Sequence, residues 1–291
     1  MQLEASLNEY SQNRGSEEKP ERPARVKSIR VVNKASLLMG MVLLLLSGLT
    51  IYALLTMDYK NIDLLKGLTD TLANFKTMFS KPHSPHLNIG QALYQLLITL
   101  GLAFLTTVLG GIIALFLGLL AARNLSNPML TNLVKGIIAF IRAVPTILWV
   151  LIFAVAAGLG SAAAVIGMTF HSVSYLTKAY SESFEDLDAG TIEALKASGA
   201  NWWQIVSQAV LPASLSYLIS WTFMRFEINF GNAVAMGAAA GAAGIGFELF
   251  MASEFYFDLG EVGMITYLIL ACAMILEAVS TGLKGRLIGE G

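Results

Sequence analysis

From Ala35 to Leu55 the chain carries no charged side chain. A hydrocarbon layer about 30 Å thick is crossed by about 20 such residues wound as a helix. Inside lipid the backbone has no water to bind, so a spanning segment must be a helix or part of a closed barrel. Runs this long and uniformly apolar select the helix. Five more follow, at Tyr94–Ala122, Leu133–Gly158, Gly160–Ala179, Ile205–Phe230 and Val262–Leu283. The third of the six is interrupted by Arg142 and Pro145. The expected fold is an all-α membrane protein with six transmembrane helices and both termini on one side. Charged residues make up only 13% of the chain, against about 25% in soluble domains. A net charge of −1 gives no basic excess to engage nucleic acid. The lone Cys272 excludes an intrachain disulfide and reads as a core residue.

The runs divide the chain. Residues 1–34 hold seven Lys/Arg and five Glu and read as a disordered or surface-bound tail, not as a secretory signal. Residues 35–56 form the first span. In the 57–92 loop, Leu65, Leu68, Leu72, Phe75 and Phe79 recur at spacings of three and four, with Asp63, Lys66, Asp70 and Lys76 falling between them. That pattern predicts an amphipathic helix along the interface or on a neighbouring helix. Residues 93–287 form the core. Arg25, Lys27, Arg30 and Lys34 precede the first span, Lys284 and Arg286 follow the last, and Arg123 and Lys135 bracket an intervening loop. Basic residues favour the cytoplasmic side, so both termini are expected there, although the 57–92 loop also holds four Lys. The polar segment 180–204 is then cytoplasmic and the 57–92 loop extracytoplasmic.

The segment from Asp186 to Pro212 reads as two short helices. Asp188 precedes a stretch of helix formers, Thr191–Ser198, and Gly199 suits the left-handed position that ends a helix. Asn201 can cap the next helix, with Gln204 three residues on to answer it. Pro212 tolerates a helix entry or a kink. Ile192, Leu195, Trp202 and Trp203 are expected to face a partner, as exposed apolar groups rimmed by charge do.

Here the pattern becomes specific. Glu193, Ala194, Leu195, Gly199, Leu211 and Pro212 resemble the EAA loop of binding-protein-dependent ABC permeases, with Ala209 a departure where an apolar residue of larger size is usual. The resemblance implies a type I, MetI-like importer permease in a bacterial inner membrane, paired with a second copy of itself. It implies two ABC ATPase subunits as partners, seated on Asp188, Glu193, Ala194, Leu195, Gly199, Leu211 and Pro212, and a periplasmic or lipid-anchored substrate-binding protein. The chain has no phosphate-binding loop of its own, since its glycine cluster at Gly237–Gly246 lacks a lysine. Any ATP is expected on the partner subunit, with no cofactor or metal on this chain and no catalytic residue.

The stretch Arg225-Phe-Glu-Ile-Asn229, leading through glycines to Glu248-Leu249, resembles phosphonate-type permeases, as does Arg142 to Phe153. The likeness covers roughly 90–287. Gly231-Asn232 departs from the basic residue usual after the Asn, and the small-residue stretch is richer in Ala. The resemblance implies a phosphonate, phosphite or related oxyanion as cargo, with Arg142, Pro145, Arg225, Glu227, Asn229, Gly237, Gly241 and Gly244 as candidate pathway residues. Each has a plainer reading. Arg142 can anchor at the interface, Arg225 and Glu227 can pair or snorkel, and Gly237-x-x-x-Gly241 can be a packing face rather than amides aimed at an anion. His171 reads as a core histidine, Glu277 as a residue near the cytoplasmic end of the last span, and His83 and His86 as solvated loop residues. An importer for another small solute such as an amino acid, an ion-coupled secondary transporter and a membrane enzyme remain the alternatives. The spans hold no nucleophile–base set or metal cluster of the kind an enzyme needs.

Overall fold

The computed structural model describes residues 34–57 and 63–288. Residues 1–33 of the expected tail and 58–62 of the expected loop lie outside them. Among the described residues every regular element is helical. The chain divides into two units, one ending at Asp63 and one beginning at Leu64. The first holds α1, Lys34–Thr56, whose side chains are all exposed, as a lipid-facing span requires.

The second unit is a helical bundle: α2 (Leu64–Ser80), α3 (Ile89–Ala121), α4 (Pro128–Ala143), α5 (Thr146–Ala157), α6 (Ser161–Glu185), α7 (Ala189–Ala197), α8 (Trp202–Ile205), a π turn (Val206–Val210), α9 (Leu211–Ala240), α10 (Ile245–Glu254) and α11 (Leu259–Ile288). α3 begins in a capping box between Asn88 and Gln91. Its buried face is a line of small residues, among them Ala103, Thr107, Gly110, Ala114 and Gly118. Lipid tails are as apolar as Leu, so close approach rather than water exclusion joins helices in a membrane. A Cβ on Gly110 would lie 2.7 Å from Ser172 Cβ. α6 packs there, with Ser172, Leu176, Tyr180 and Phe184 buried.

The third run bends where Pro145 interrupts it, and the fifth continues past its expected end into a second bend. α4 and α5 meet at 91° across Val144–Pro145. Pro145 has no N–H to return to the Ile141 carbonyl. The Trp149 indole Nε1 donates to that carbonyl instead, at 2.9 Å. α9 does not end at Phe230. It continues to Ala240, since the small residues there are mostly good helix formers, and stops at Gly241 with φ +66°. The chain restarts at Gly244 and Ile245, and α10 leaves at 45°.

Among the described residues three helices, α1, α3 and α11, are long and apolar enough to cross a membrane, and counting each bent pair as one span raises the number to five. That makes five of the six expected spans. α6 fails on apolarity for a physical reason. It is enclosed by α3, α4, α5 and α9, and buries Ser172, Ser174, Thr177, Ser181 and Ser183 against them. A helix shielded from lipid needs no apolar outer face.

The expected amphipathic segment is helical as α2. Its C-terminal end packs on α11, where Tyr267 Oη donates to the Phe79 carbonyl at 2.7 Å and the two rings meet edge to face. Leu65, Leu68, Leu72 and Phe75 stay exposed.

Candidate functional site

The segment between α6 and α9 is a knuckle at the end of the bundle where α6 finishes. α6 runs on to Glu185, so residues 180–185 of the expected loop are helical. Asp188 Oδ2 then accepts from the Thr191 amide at 2.9 Å and the Thr191 hydroxyl at 3.1 Å. These bonds, with one from the Gly190 amide, hold its carboxyl below the usual carboxylate range. α7 closes at Gly199, with φ +85°, its amide and that of Ala200 returning to the Lys196 and Leu195 carbonyls. Asn201 and Gln204 form the capping box that opens α8. Pro212 offers no N–H to the first turn of α9, and the wide π turn before it absorbs the misfit.

The inner side of the knuckle is fixed. Ile192, Ile205, Val206 and Val210 are buried with Leu119, Tyr180 and Phe184. The Trp202 indole donates to the Leu125 carbonyl at 2.9 Å. Ile192 therefore does not face outward as expected. At about 100° per residue the next two positions, Glu193 and Ala194, turn away to other faces of α7, and Ile192 anchors the helix. The outer side shows Glu193, Ala194 and Trp203, the last 64% exposed. Thr191, Ala194, Leu195, Gln208, Ala209, Pro212 and Ala213 line an open, mainly apolar cleft of about 640 Å³. The geometry presents a short, capped helix on a rigid footing, with an apolar cleft beside it.

The candidate pathway residues fall in three places. Arg225 and Asn229 lie one turn apart on α9 and face α3 and α6. Asn229 Nδ2 donates to Thr107 Oγ1 at 2.8 Å and to Ser172 Oγ at 2.9 Å. Arg225 is 2% exposed. Its Nε donates to Ser172 Oγ at 3.1 Å, and its guanidinium lies 5.1 Å from the Tyr175 ring centre. Among the described residues its Nη2 has no hydrogen-bond partner and no carboxylate pairs with it. A buried cation without a counter-ion is costly and points to a functional role. Glu227, two residues along, points to another face and is half-buried. Ser172, Thr106 and Thr107 complete this network and escaped the sequence reading. Adjacent threonines inside an apolar run were the available signal.

Arg142 sits elsewhere, exposed at the end of α4, with Pro145 at the bend beyond it. Gly237 and Gly244 are buried at the α9–α10 turn, where a Cβ on Gly237 would lie 2.5 Å from the Phe247 amide. Gly241 is exposed and ends α9.

The donor types that could hold a metal ion meet, among the described residues, only at His86, Asp258 and Glu261, within 4.8 Å of one another. This cluster lies near the start of α3, whereas the knuckle adjoins its end. His83 and His86 are not free loop residues. They pair with Asp258 and Glu261, and those hydrogen bonds account for the geometry.

The family model described as "Binding-protein-dependent transport system inner membrane component" matches residues 114–287, which include the bent α4–α5 pair, the knuckle and the α9–α10 turn. The chain belongs to that family. This permease is a multi-pass inner-membrane transport component and not an enzyme. It is 32% identical over 187 residues to the phosphite transport system permease protein PtxC of Stutzerimonas stutzeri, covering 64% of this chain and 67% of that one. It is 30% identical over 192 residues to the phosphate-import permease protein PhnE of Mycolicibacterium smegmatis, covering 65% of this chain but only 36% of the relative's length. Its fold matches inward-facing structures of the MetNI methionine ABC transporter with a TM-score of 0.59 at 22% identity, covering 65% of this chain and 93% of that one. The permease thus has the all-α, MetI-like fold.

Proposed function

We propose that this permease carries a phosphonate, phosphite or related small oxyanion across the inner membrane by alternating access, as a homodimer driven by two separate ATPase subunits. A periplasmic or lipid-anchored binding protein delivers the cargo, and ATP binds only to the partner ATPases. The observation that carries the reading is the α7–α8 knuckle. It is pinned from within by Ile192 and Trp202 and offers Glu193, Ala194 and Trp203 outward. A rigid projection of this kind transmits the closure of a partner as a rigid-body movement, which a soft loop could not. Asp188, Glu193, Ala194, Leu195, Gly199, Leu211 and Pro212 form or support that contact. The knuckle and both termini face the cytoplasm, and residues 57–92 face outward.

The oxyanion reading is supported by two relatives whose names carry phosphite and phosphate, and by the unpaired cation Arg225. Arg142, Pro145, Arg225, Glu227, Asn229, Gly237, Gly241 and Gly244 belong to elements that shape the gate: the α4–α5 bend, α9 and the break before α10. The test is purification with the native ATPase and binding protein, followed by ATPase assays with methylphosphonate, phosphite, phosphate and methionine. Stimulation by one or more of the oxyanions and not by methionine is expected. Stimulation by methionine alone overturns the cargo, and the absence of any co-purifying ATPase overturns the coupling.

A further inference from the structure

Arg123, Lys135, Arg142 and Lys178 converge on one partly enclosed cleft of about 290 Å³ between α4 and α6, at the end of the bundle that carries the knuckle. Lys135, Ile138, Ala139 and Arg142 share one face of α4, at spacings of three, one and three. Lys178, Ser181 and Glu182 present a face of α6 toward them. The nearby carboxylates are engaged. Glu185 Oε1 accepts from Lys135 Nζ at 2.7 Å and from the Arg123 amide at 2.8 Å. Glu182 meets Lys178 at 3.4 Å in an exposed pair, which is worth little in water. Four cations thus face two carboxylates, an excess of two charges. Among the described residues neither the Arg123 nor the Arg142 guanidinium has a carboxylate partner.

We propose that this cleft binds a phosphoryl or phosphonyl dianion. Two free guanidinium forks match tetrahedral oxyanions in shape as well as charge, and the excess of two charges balances a dianion. Basic pockets between membrane helices take lipid headgroups by the same chemistry, so the group bound is either a free oxyanion or an anionic lipid phosphate. The site is distinct from the buried Arg225 centre. Through Arg142 it touches the proposed pathway, and it rests on that reading only where the bound group is cargo.

The test uses the full-length permease, stripped of lipid in neutral detergent. One arm titrates methylphosphonate and inorganic phosphate by calorimetry. The other adds phosphatidic acid, whose phosphomonoester can carry two charges, and counts retained lipids by native mass spectrometry. Binding in either arm is expected, weakened at least tenfold in Arg123→Gln/Arg142→Gln and partly kept in Arg123→Lys/Arg142→Lys, whose charge is intact. If the Gln variant is poorly folded, the Lys variant and the salt dependence of wild-type binding decide the matter: affinity must fall as salt rises. The proposal is overturned if neither probe binds, or if the Gln variant binds both as wild type does. Failure of the cargo reading looks different. In that case the cleft binds its probe while no oxyanion stimulates the assembled ATPase.

Discussion

His86 Nδ1 stands 2.8 Å from Glu261 Oε2, and three residues earlier in each segment His83 Nε2 stands 3.1 Å from Asp258 Oδ2. The two pairs run in register and clasp the turn before α3 to the start of α11. Glu261 is 1% exposed and also accepts from Ser84 Oγ at 3.0 Å. Asp258 caps α11 by accepting from the Gly260 and Glu261 amides. Replacing Glu261 by Ala takes from His86 its carboxylate partner and leaves the Ser84 hydroxyl only the Leu87 carbonyl, in a half-buried site. A loss of about 1–3 kcal/mol is expected, read as a lower melting temperature in detergent. Glu261→Gln, which keeps one acceptor oxygen, should lose less.

The outer pair of this clasp sets a pH window. The Lys81 carbonyl, and after it Asp258, raises the His83 imidazole above its usual value. Burial pushes Asp258 up, but amide bonds from Glu261 and Gly260, together with His83, pull it below the usual carboxylate range. A raised histidine contributes fully below its unfolded value and loses that contribution as pH rises through its folded one. A lowered carboxylate contributes above its unfolded value and loses that contribution as pH falls through its folded one. The pair therefore stabilises most between about pH 4 and 6.5, the unfolded values of the two groups. The melting-temperature gap between wild type and His83→Ala should be widest in the middle of that window and shrink as pH rises above it. A gap that grows toward pH 8 would refute the assignment.

The α9–α10 turn depends on absent side chains. A Cβ on Gly237 would meet the Phe247 amide nitrogen at 2.5 Å and the Gly246 carbonyl carbon at 2.6 Å. Those are backbone atoms, which cannot swing aside. Gly237→Ala should cost about 1–3 kcal/mol through overpacking, whereas Gly231→Ala, inside the same helix with open space around it, should be neutral or stabilising by up to about 1 kcal/mol. Thermal unfolding of the two variants side by side checks the contrast.

These contacts show where the sequence was legible. The Asn201–Gln204 cap and the left-handed Gly199 are local, and spacing alone encodes them. The α4–α5 bend was marked by Pro145. Its angle was not legible, because a continuous apolar run resumes at Ile147 directly after the break, and the Trp149–Ile141 bond that stabilises the break spans eight residues. Ile192 looked exposed because the segment around it is polar. Only the packed knuckle shows which face turns inward. The histidine pairs were beyond reach, since no local pattern links positions 83 and 86 to a turn 175 residues later.

The knuckle separates folding from transmission. Gly199 holds φ +85°, where a β-branched side chain is strongly disfavoured, so Gly199→Val should tilt α7 against α8. Asn201→Ala removes one cap bond and should cost about 1 kcal/mol without moving the chain. Both variants should insert and dimerise. Gly199→Val should lose ATPase stimulation by cargo and Asn201→Ala should keep most of it. Equal losses in the two would mean that helix stability, not the aim of the projection, governs coupling.

Arg225 tests what a buried cation is for. Its Ser172 bond and its place beside Tyr175 could make it a structural strut, and removing a strut should unfold the bundle. Yet its Nη2 has no partner among the described residues, and a buried charge this poorly compensated adds little net stability. Arg225→Met keeps most of the volume and discards the charge. Its melting temperature should therefore stay at or above that of wild type, while oxyanion-stimulated ATPase activity falls by tenfold or more. Asn229, saturated by Thr107 and Ser172, should behave in the opposite way. Asn229→Leu removes the amide's bonds to Thr107 and Ser172, whose hydroxyls keep the Ala103 and Met168 carbonyls, and forces a branched apolar side chain into a buried polar network, so it should lower stability by about 1 kcal/mol. If instead Arg225→Met melts early and Asn229→Leu does not, the guanidinium is the strut and the anion is handled elsewhere.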